Sequence, residues 1–390
     1  MKLFWPINGS FEEALSNLEK APLNRPFDEE VLEFTQRLSK RFVRMRHLPE
    51  VVALGYWLRK ANVKQMQAQF EHATEGKFVR ARGLSFHTAP SNVDTIFAYS
   101  WMLSLLAGNK NIIRISSKSE VNDVLRVILE ELPHVEKVAE QTMICTYGHE
   151  ENATAVLSKA CHTRVIWGGD ATVNAIRSVP LAPLANELAF PDRFSLAVLN
   201  AEKVSQLGDE ALDSLLEQFY NDVFWFDQMA CSSPRLVVWV GQSSKAFWQK
   251  FEQKIVVKQY ELLAATQVLK YTTSLQLATE NYVEKVEPSP YFSRIQLDEV
   301  PANVREQHCG GGLFYEYEVN TLTDLAEVIT DKDQTIAYFG FEPFELAQFV
   351  HVIPTRGIDR IVPIGQALNF DGVWDGQSFL TSFTREVVIL

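Results

Sequence analysis

The chain has 390 residues, 46% hydrophobic and 22% charged, with 37 Lys and Arg against 49 Asp and Glu for a net charge of −12. Such a composition builds one large or two ordinary globular domains, and its acidic balance excludes a general nucleic-acid surface, which needs clustered basic residues. The four cysteines, Cys145, Cys161, Cys231 and Cys309, are widely spaced and form no CxxC pair, a pattern that suits a reducing cytoplasm and neither a zinc site nor a disulfide framework.

The opening MKLFWPINGS lacks the basic-then-apolar order of a signal peptide. Residues 1–80 read as a mainly helical segment, because FDEEVLEFTQRLSKRF and PEVVALGYWLRKANVKQMQAQFEHA carry apolar residues at helical spacing, with Asp and Glu near their starts. The texture changes at about residue 82, where GLSFHTA, NIIRIS, TMICTYG, TRVIWGG and FSLAVLN read as short apolar strands. Helical patterns from Asp94, from Ser119, near Ala153 and from Asp170 separate them. This alternation predicts an α/β fold with a parallel sheet covered on both faces, a doubly wound nucleotide-binding domain over 81–203 on which the helical segment packs. IFAYSWMLSLLAG, the longest apolar run, is shorter than the ~20 residues that span a bilayer.

A second α/β domain is expected over 204–352. It opens with the helix DEALDSLLEQFYNDVFWF, turns through FDQMACSSPR into the strand RLVVWVG, and continues through helices over 243–284, GLFYEYEV, the helix LTDLAEVI and TIAYFGF. Residues 353–390 are turn-rich, return to the core and close with REVVIL, a strand with no obvious partner in the chain that invites pairing with a second subunit.

No GxGxxG follows a predicted strand, and HExxH, GxSxG and Walker A patterns are missing. Four segments remain: HTAPSN (87–92), GNKNIIRISSKS (108–119) and VIWGGD (165–170), at or just beyond the C-terminal ends of strands, and ACSSPR (230–235) at a helix–strand junction. The carboxyl ends of the strands are where doubly wound sheets hold ligands. Cys231, among small polar residues, is either a buried structural thiol or a nucleophile.

RGLSFHTAPSNVDTIFAYSWMLSLLAGNKNIIRISSKS, VIWGGDATVNAIRSVPL, FDQMACSSPR and DRIVPIGQALNFDGVWDG, in this order, resemble the acyl-CoA reductase (LuxC) family from about residue 47 to the C-terminus. That family, best known for the fatty acid reductases of bacterial bioluminescence, is a divergent branch of the aldehyde dehydrogenase superfamily. The resemblance implies an aldehyde dehydrogenase-like fold and NADPH-dependent reduction of a fatty acyl thioester, acyl-CoA or acyl-protein, to the aldehyde. It makes Cys231 the acyl carrier and leaves the other three cysteines structural.

By the same comparison Asn92 is the side-chain amide that holds the developing oxyanion, where one preorganised donor contributes on the order of 3 kcal/mol; the alternative is an Asn shaping the turn after Pro90. Arg114 falls five residues after Asn109, where the superfamily has a lysine at the cofactor's adenosine ribose. Ser117 stands where NAD-preferring members carry a glutamate, so the turn of Arg114, Ser116, Ser117 and Lys118 would receive a 2′-phosphate and favour NADPH. Gly168 and Gly169 permit close approach of a pyrophosphate to the following helix, with Asp170 as its N-cap. A solvated basic strand end and a tight turn without a ligand are the competing readings.

The hydrolytic members' water-activating glutamate is replaced by Ala189 or a neighbour, with Glu187 close but out of register. His308, in QHCGGG where the superfamily has a ribose-holding glutamate, is a candidate cofactor contact or proton donor, and Gly310–Gly312 a candidate flexible turn. His87 and His351 are read as structural. The resemblance further implies an acyl-protein synthetase and an acyl-transferase as partners and, with the terminal strand, a homo-oligomer. Two other functions stay open: a hydrolytic NAD(P)-dependent aldehyde dehydrogenase, and a non-reducing subunit that only accepts acyl groups.

Overall fold

The computed structural model describes residues 1–89, 95–116, 122–148 and 152–389. The chain divides into two compact units, Met1–Asp192 with Phe370–Leu390, and Arg193–Asn369.

The first unit begins with a short strand, β1 (Lys2–Trp5), and four helices, Phe11–Lys20, Glu29–Phe42, Pro49–Trp57 and Lys60–Ala73. Local chemistry sets their starts. Ser10 and Glu13 form a reciprocal capping box, and the Asp28 carboxylate accepts from the Glu30 N–H. The second helix buries Val31, Phe34, Leu38 and Phe42, one face at helical spacing. There follow β2 (Phe78–Ala81), β3 (Leu84–Thr88), β4 (Lys110–Arg114), β5 (Thr142–Thr146), β6 (Thr163–Trp167) and β7 (Asn186–Phe190). The sheet order is β1-β5-β4-β3-β6-β7, parallel except for β1. The winding therefore reverses beside β3, between its neighbours β4 and β6, and leaves a crevice at the carboxyl ends of the strands.

The helix Ile96–Leu106 is buried along Phe97–Leu106, as its nearly uniform apolar composition requires. Its two serines complete a polar layer: Ser100 Oγ lies 2.8 Å from His87 Nδ1 and Ser104 Oγ donates to Ser85 Oγ at 2.9 Å. His87 Nε2 lies 3.1 Å from Asn111 Oδ1, and burial pushes its pKa down to about 4. His87 is thus a neutral core residue.

The second unit contains β8 (Phe194–Asn200), β9 (Leu236–Val240), β10 (Val283–Pro288), β11 (Ser293–Leu297), β12 (Leu313–Val319), β13 (Asp333–Phe339) and β14 (Arg360–Pro363). Their order is β10-β11-β12-β9-β8-β13-β14, parallel except for β10. One core face is aromatic, with Phe219, Phe247, Trp248, Phe251, Phe292 and Phe314 packed together. Two expected boundaries change. FSLAVLN, assigned from sequence to the first α/β domain, is β8 and pairs with β9 and β13 in the second sheet. The edge strand of the first sheet is instead NELAF, β7, too polar to stand out by pattern. The return from residue 353 begins later, because β14 and the chain up to Asn369 stay with the second unit.

The tail adds a short hairpin, β15 (Val373–Trp374) with β16 (Gln377–Ser378), and then β17 (Thr384–Val387). The expectation of an unpartnered terminal strand is corrected: β17 pairs antiparallel with β2, Thr384 opposite Ala81 and Val387 opposite Phe78. Side chains hold this return in place, since Asn109 Nδ2 donates to Phe383 O at 2.9 Å and Arg82 Nε to Ser382 O at 2.7 Å. None of the described helices is long and apolar enough to cross a membrane.

Two buried carboxylates in the second unit generate predictions. Asp333, at the start of β13, receives a two-pronged contact from Arg305, Nε at 2.8 Å and Nη2 at 2.6 Å, and both side chains are essentially inaccessible. Asp333→Asn leaves the guanidinium buried without its counter-charge, so stability falls by about 3–5 kcal/mol, read from the denaturant midpoint at constant slope. Asp222 accepts from the N–H groups of Gly365 at 2.6 Å and Ala367 at 3.0 Å, while Arg360 donates to the carbonyls of Ala367, Gln366 and Asn369 in the same loop. Burial pushes the Asp222 pKa up to about 7, against those two N–H donors and Arg360. A carboxyl with a raised folded pKa binds protons more tightly when folded, so its contribution to stability falls as pH rises from about 4 to about 7. Asp222→Asn is expected to lose this component, and a wild-type-minus-variant stability difference that is flat across that window would contradict it.

Candidate active site

The helix Asp209–Phe224 is held by Leu212, Leu215, Leu216, Phe219 and Val223 on its buried face and stops at the edge of the aromatic core. Nine residues then reverse the chain before Pro234 leads to β9. Asp227 and Gln228 adopt φ of 50° and 62°, a left-handed conformation that non-glycine residues seldom take and that concentrates at functional sites. The turn is enforced from outside. The fully buried Gln228 donates from Nε2 to Pro234 O at 2.9 Å and accepts at Oε1 from Gly312 N at 2.9 Å. Gly311 N donates to Asp227 O at 2.8 Å, and the Tyr260 hydroxyl donates to the Asp227 carboxylate.

Gly310, Gly311 and Gly312 have φ of 73°, 64° and 79°. A Cβ at Gly310 would lie 2.5 Å from Met229 Sδ, and one at Gly311 2.5 Å from Thr266 Cγ2. The flexible turn expected from three glycines is therefore a close-packed brace for the loop that carries Cys231.

Cys231 is half-buried. Its carbonyl accepts from Ser195 Oγ on β8 at 2.6 Å, and the same hydroxyl accepts from Thr335 N on β13 at 3.2 Å. The side-chain amide of Gln334, also on β13 and 2% exposed, lies 3.6 Å from the sulfur with Nε2 as donor. The other thiols stand in different surroundings. Cys145 is inaccessible, burial pushes Cys161 up to about 12, and burial also raises Cys309. These are settings for inert thiols.

In the first unit a cleft of about 450 Å³ opens where the carboxyl ends of β3 and β4 and the residues after β5 meet the helix Asp170–Arg177. Its lining includes Thr88, Arg114, Tyr147, Asn152, Thr172 and Ile176. Arg114 lies over the Tyr147 ring, 5.3 Å from its centroid, and donates from Nη2 to Tyr147 O at 3.4 Å. Its Nε is buried without a hydrogen-bond partner among the described residues. A buried cationic donor without a partner in a cleft fits an anionic ligand. Gly168 and Gly169 form the turn into the helix Asp170–Arg177, and a Cβ at Gly169 would meet no protein atom within 4 Å. The protein's own packing does not require glycine there, and the backbone at Gly169 is open to approach. Gly169, not Asp170, is the N-cap; Asp170 is the first helical residue, where its charge suits the helix dipole, and it accepts from Asp192 N at 3.3 Å.

Three expected site residues, Asn92, Ser117 and Lys118, lie outside the described residues. Ser116 follows β4 in the chain, half-buried. His308 does not have the setting expected of a ribose contact or proton donor. Its Nε2 lies 2.6 Å from Leu313 O, its Nδ1 accepts from Gly310 N at 3.0 Å, and burial drives its pKa well below the usual value. It is a neutral ring with both nitrogens committed to the glycine brace. Glu187 is equally committed, accepting from Arg164 at 2.5 Å and Arg177 at 2.7 Å.

Gln228, Ser195, Gln334 and Tyr147 carry this geometry without having been singled out from the sequence. The signal for Gln228 lay beside Cys231 in FDQMACSSPR; Ser195 and Gln334 become visible only once β8 and β13 are known to be neighbours.

Residues 18–274 match the Acyl-CoA reductase (LuxC) family. A long-chain acyl-protein thioester reductase of Aliivibrio fischeri is 23% identical over 178 residues, 45% of this chain and 35% of that protein, so the aligned region spans about a third of that relative's length. Among solved structures, aldehyde dehydrogenase 21 of Physcomitrella patens, in complex with the reaction product succinate, superposes with a TM-score of 0.69 at 10% identity, over 97% of this chain and 90% of that one. Glyceraldehyde-3-phosphate dehydrogenase of Methanocaldococcus jannaschii, complexed with NADP, gives 0.68 at 11% identity over 96% and 92%. At these identities the structures establish an aldehyde dehydrogenase fold, and with a family match covering most of its length, the chain belongs to the Acyl-CoA reductase (LuxC) family.

Proposed function

We propose that this chain reduces a fatty acyl thioester, carried by CoA or by a protein, to the aldehyde with NADPH, and that Cys231 holds the acyl group between the two half-reactions. The observation that carries this reading is the braced loop around Cys231, half-buried, with its carbonyl and its sulfur each contacted from a different strand. In the first half-reaction the Cys231 thiolate adds to the thioester carbonyl. The donor's C–S bond then breaks, and its sulfur leaves as a thiolate that takes a proton from solvent. Asn92 and the Cys231 N–H are assigned to the oxyanion of the tetrahedral intermediate, in keeping with the family's pattern. When bound, NADPH supplies the hydride that converts the acyl carbon to that of an aldehyde. Cys231 is then expelled as a thiolate and the free enzyme is restored.

The cleft at the carboxyl ends of β3 and β4, which Arg114 lines, supports a place for the cofactor; Ser116, Ser117, Lys118 and the Gly168–Gly169 turn are assigned as further holders in keeping with the family's pattern. Preference for NADPH rests on Arg114 and Lys118 flanking Ser117 in place of an acidic residue that would repel a 2′-phosphate. Survival of the acyl-cysteine against water is favoured by the engagement of Glu187 with two guanidiniums. A homo-oligomer, an acyl-protein synthetase and an acyl-transferase as partners, and a cytoplasmic location belong to the same reading.

Intact mass after incubation with a panel of acyl-CoAs is expected to show one acyl adduct on the wild-type chain, discharged by NADPH. Cys231→Ala should show no adduct and no NADPH oxidation; an adduct of undiminished yield would remove Cys231 from the mechanism. Release of fatty acid rather than aldehyde from the adduct would favour the hydrolytic function. For the cofactor, Arg114→Met removes a charge-assisted donor, and the KM for NADPH should rise by roughly tenfold or more while that for NADH changes little. Equal losses with both cofactors would argue against 2′-phosphate recognition.

A further inference from the structure

Resting on the acyl-cysteine reading, we propose that Gln334 is a catalytic residue whose side-chain N–H steadies the Cys231 sulfur as a thiolate before acylation and again as the aldehyde departs. The contact is direct: Nε2 lies 3.6 Å from Sγ, a normal separation for a donor to the large sulfur atom. Gln334 is 2% exposed, so water does not supply the amide's hydrogen bonds, and a buried amide is costly unless the protein supplies them. Residues 336 and 337 on the same strand are the apolar Ile336 and Ala337, both buried. Packing alone would be served by an apolar side chain at 334 as well.

The donor is also held in place. On one side Asp333 is clamped by Arg305 and by Thr330, whose N–H donates to its carboxylate at 2.7 Å. On the other, Thr335 N donates to Ser195 Oγ, which in turn donates to Cys231 O. The strand that presents the amide and the loop that presents the sulfur are thereby registered through one hydroxyl. Thr335 Oγ1 donates to Gln334 Oε1 at 3.3 Å, turning the oxygen of the carboxamide away from sulfur and the nitrogen towards it. Charged and titratable groups on the flanking segments have partners of their own. Arg193 pairs with Asp359, Asp333 with Arg305, Arg235 donates to Arg193 O, and His308 is kept neutral by burial.

A donor to sulfur acts at both ends of the reaction. Before acylation it raises the thiolate fraction at neutral pH, at some loss of intrinsic nucleophilicity. In the thioester the sulfur carries no charge and the hydrogen bond weakens. When the C–S bond of the hydride adduct breaks, sulfur takes the electron pair, and the same N–H stabilises the departing thiolate.

The test is the pH profile of iodoacetamide alkylation at Cys231 in the full chain, followed by peptide mass, for wild type and Gln334→Met, which keeps length and loses the donor. The midpoint is expected to move up by about one pH unit, as for loss of one hydrogen bond to a charged group. The two curves should cross. With thiolate reactivity rising at a Brønsted slope of about 0.4–0.5, the variant alkylates roughly threefold slower well below the midpoint and roughly threefold faster on the alkaline plateau. A purely structural role would scale the whole curve without crossing. Should Gln334→Met not fold, Gln334→Glu replaces the donor by a carboxylate of the same shape, and the midpoint should rise further. A wild-type profile in whichever variant keeps its unfolding midpoint overturns the proposal. Alkylation requires no acyl donor, so failure of wild-type Cys231 to accept acyl groups would sink the acyl-cysteine reading separately.

Discussion

The buried carboxamide of Gln228 is the interaction on which the geometry around Cys231 depends. Its two ends join segments far apart in sequence, the residue that ends the thiol loop, Pro234, and the glycine brace at Gly312. Neither bond can be exchanged for water at full burial, so breaking one leaves a desolvated polar group, which costs about 1–3 kcal/mol. That penalty opposes relaxation of Asp227 and Gln228 out of their left-handed backbone, a strain of the same order. The brace depends on the loop in return. Gly310 must lack a side chain because Met229 fills the space, and His308 uses both ring nitrogens to shape the glycine turn. A polar network of this kind, with both ends of the Gln228 carboxamide and both His308 nitrogens engaged, favours one loop conformation where an apolar core would tolerate several.

The two sheets are built by the same rule and carry different chemistry. In the first, winding in opposite directions from β3 leaves a cleft at the strand ends, with a cation and a helix N-terminus beside it, a setting suited to an anionic ligand. In the second, β8 and β13 are adjacent parallel strands, and each offers one polar side chain to the thiol loop, Ser195 to the backbone and Gln334 to the sulfur. Both residues lie among buried neighbours, and an apolar side chain at 195 would leave Thr335 N and Cys231 O without the hydroxyl that joins them. Polar groups retained in such places do local geometric work.

Much of this architecture is legible in the residues alone. The alternation of short apolar strands with helices from residue 82 gives the parallel sheet, and FDQMACSSPR marks the helix–strand junction that the structure contains. What escapes the sequence is pairing at a distance. NELAF has too little apolar contrast to announce an edge strand, so FSLAVLN is drawn into the wrong sheet, and with it Ser195. REVVIL has no visible partner because the strand it joins, Phe78–Ala81, lies at the far end of the chain in a segment that reads as the end of a helix. His308 attracts attention as a titratable group beside glycines, whereas burial and two backbone contacts make it a structural ring. The residues of the site geometry that sequence reasoning missed are uncharged amides and hydroxyls, which have no pattern of their own and acquire meaning only from what they touch.

On the proposed reading, the fate of an acyl-cysteine is decided by what is denied to it. A thioester on Cys231 is open to water, to a second thiol and to hydride, and the protein selects among them by positioning rather than by intrinsic reactivity. Water needs a base. Glu187, the carboxylate near the position where hydrolytic relatives keep theirs, has both oxygens engaged, one by Arg164, itself 2% exposed, and one by Arg177. Freeing it would strand a buried guanidinium, a change in which the loss of one partner costs about 3–5 kcal/mol. The contacts that stabilise the edge of the first sheet are therefore the same contacts that keep the Glu187 carboxylate engaged.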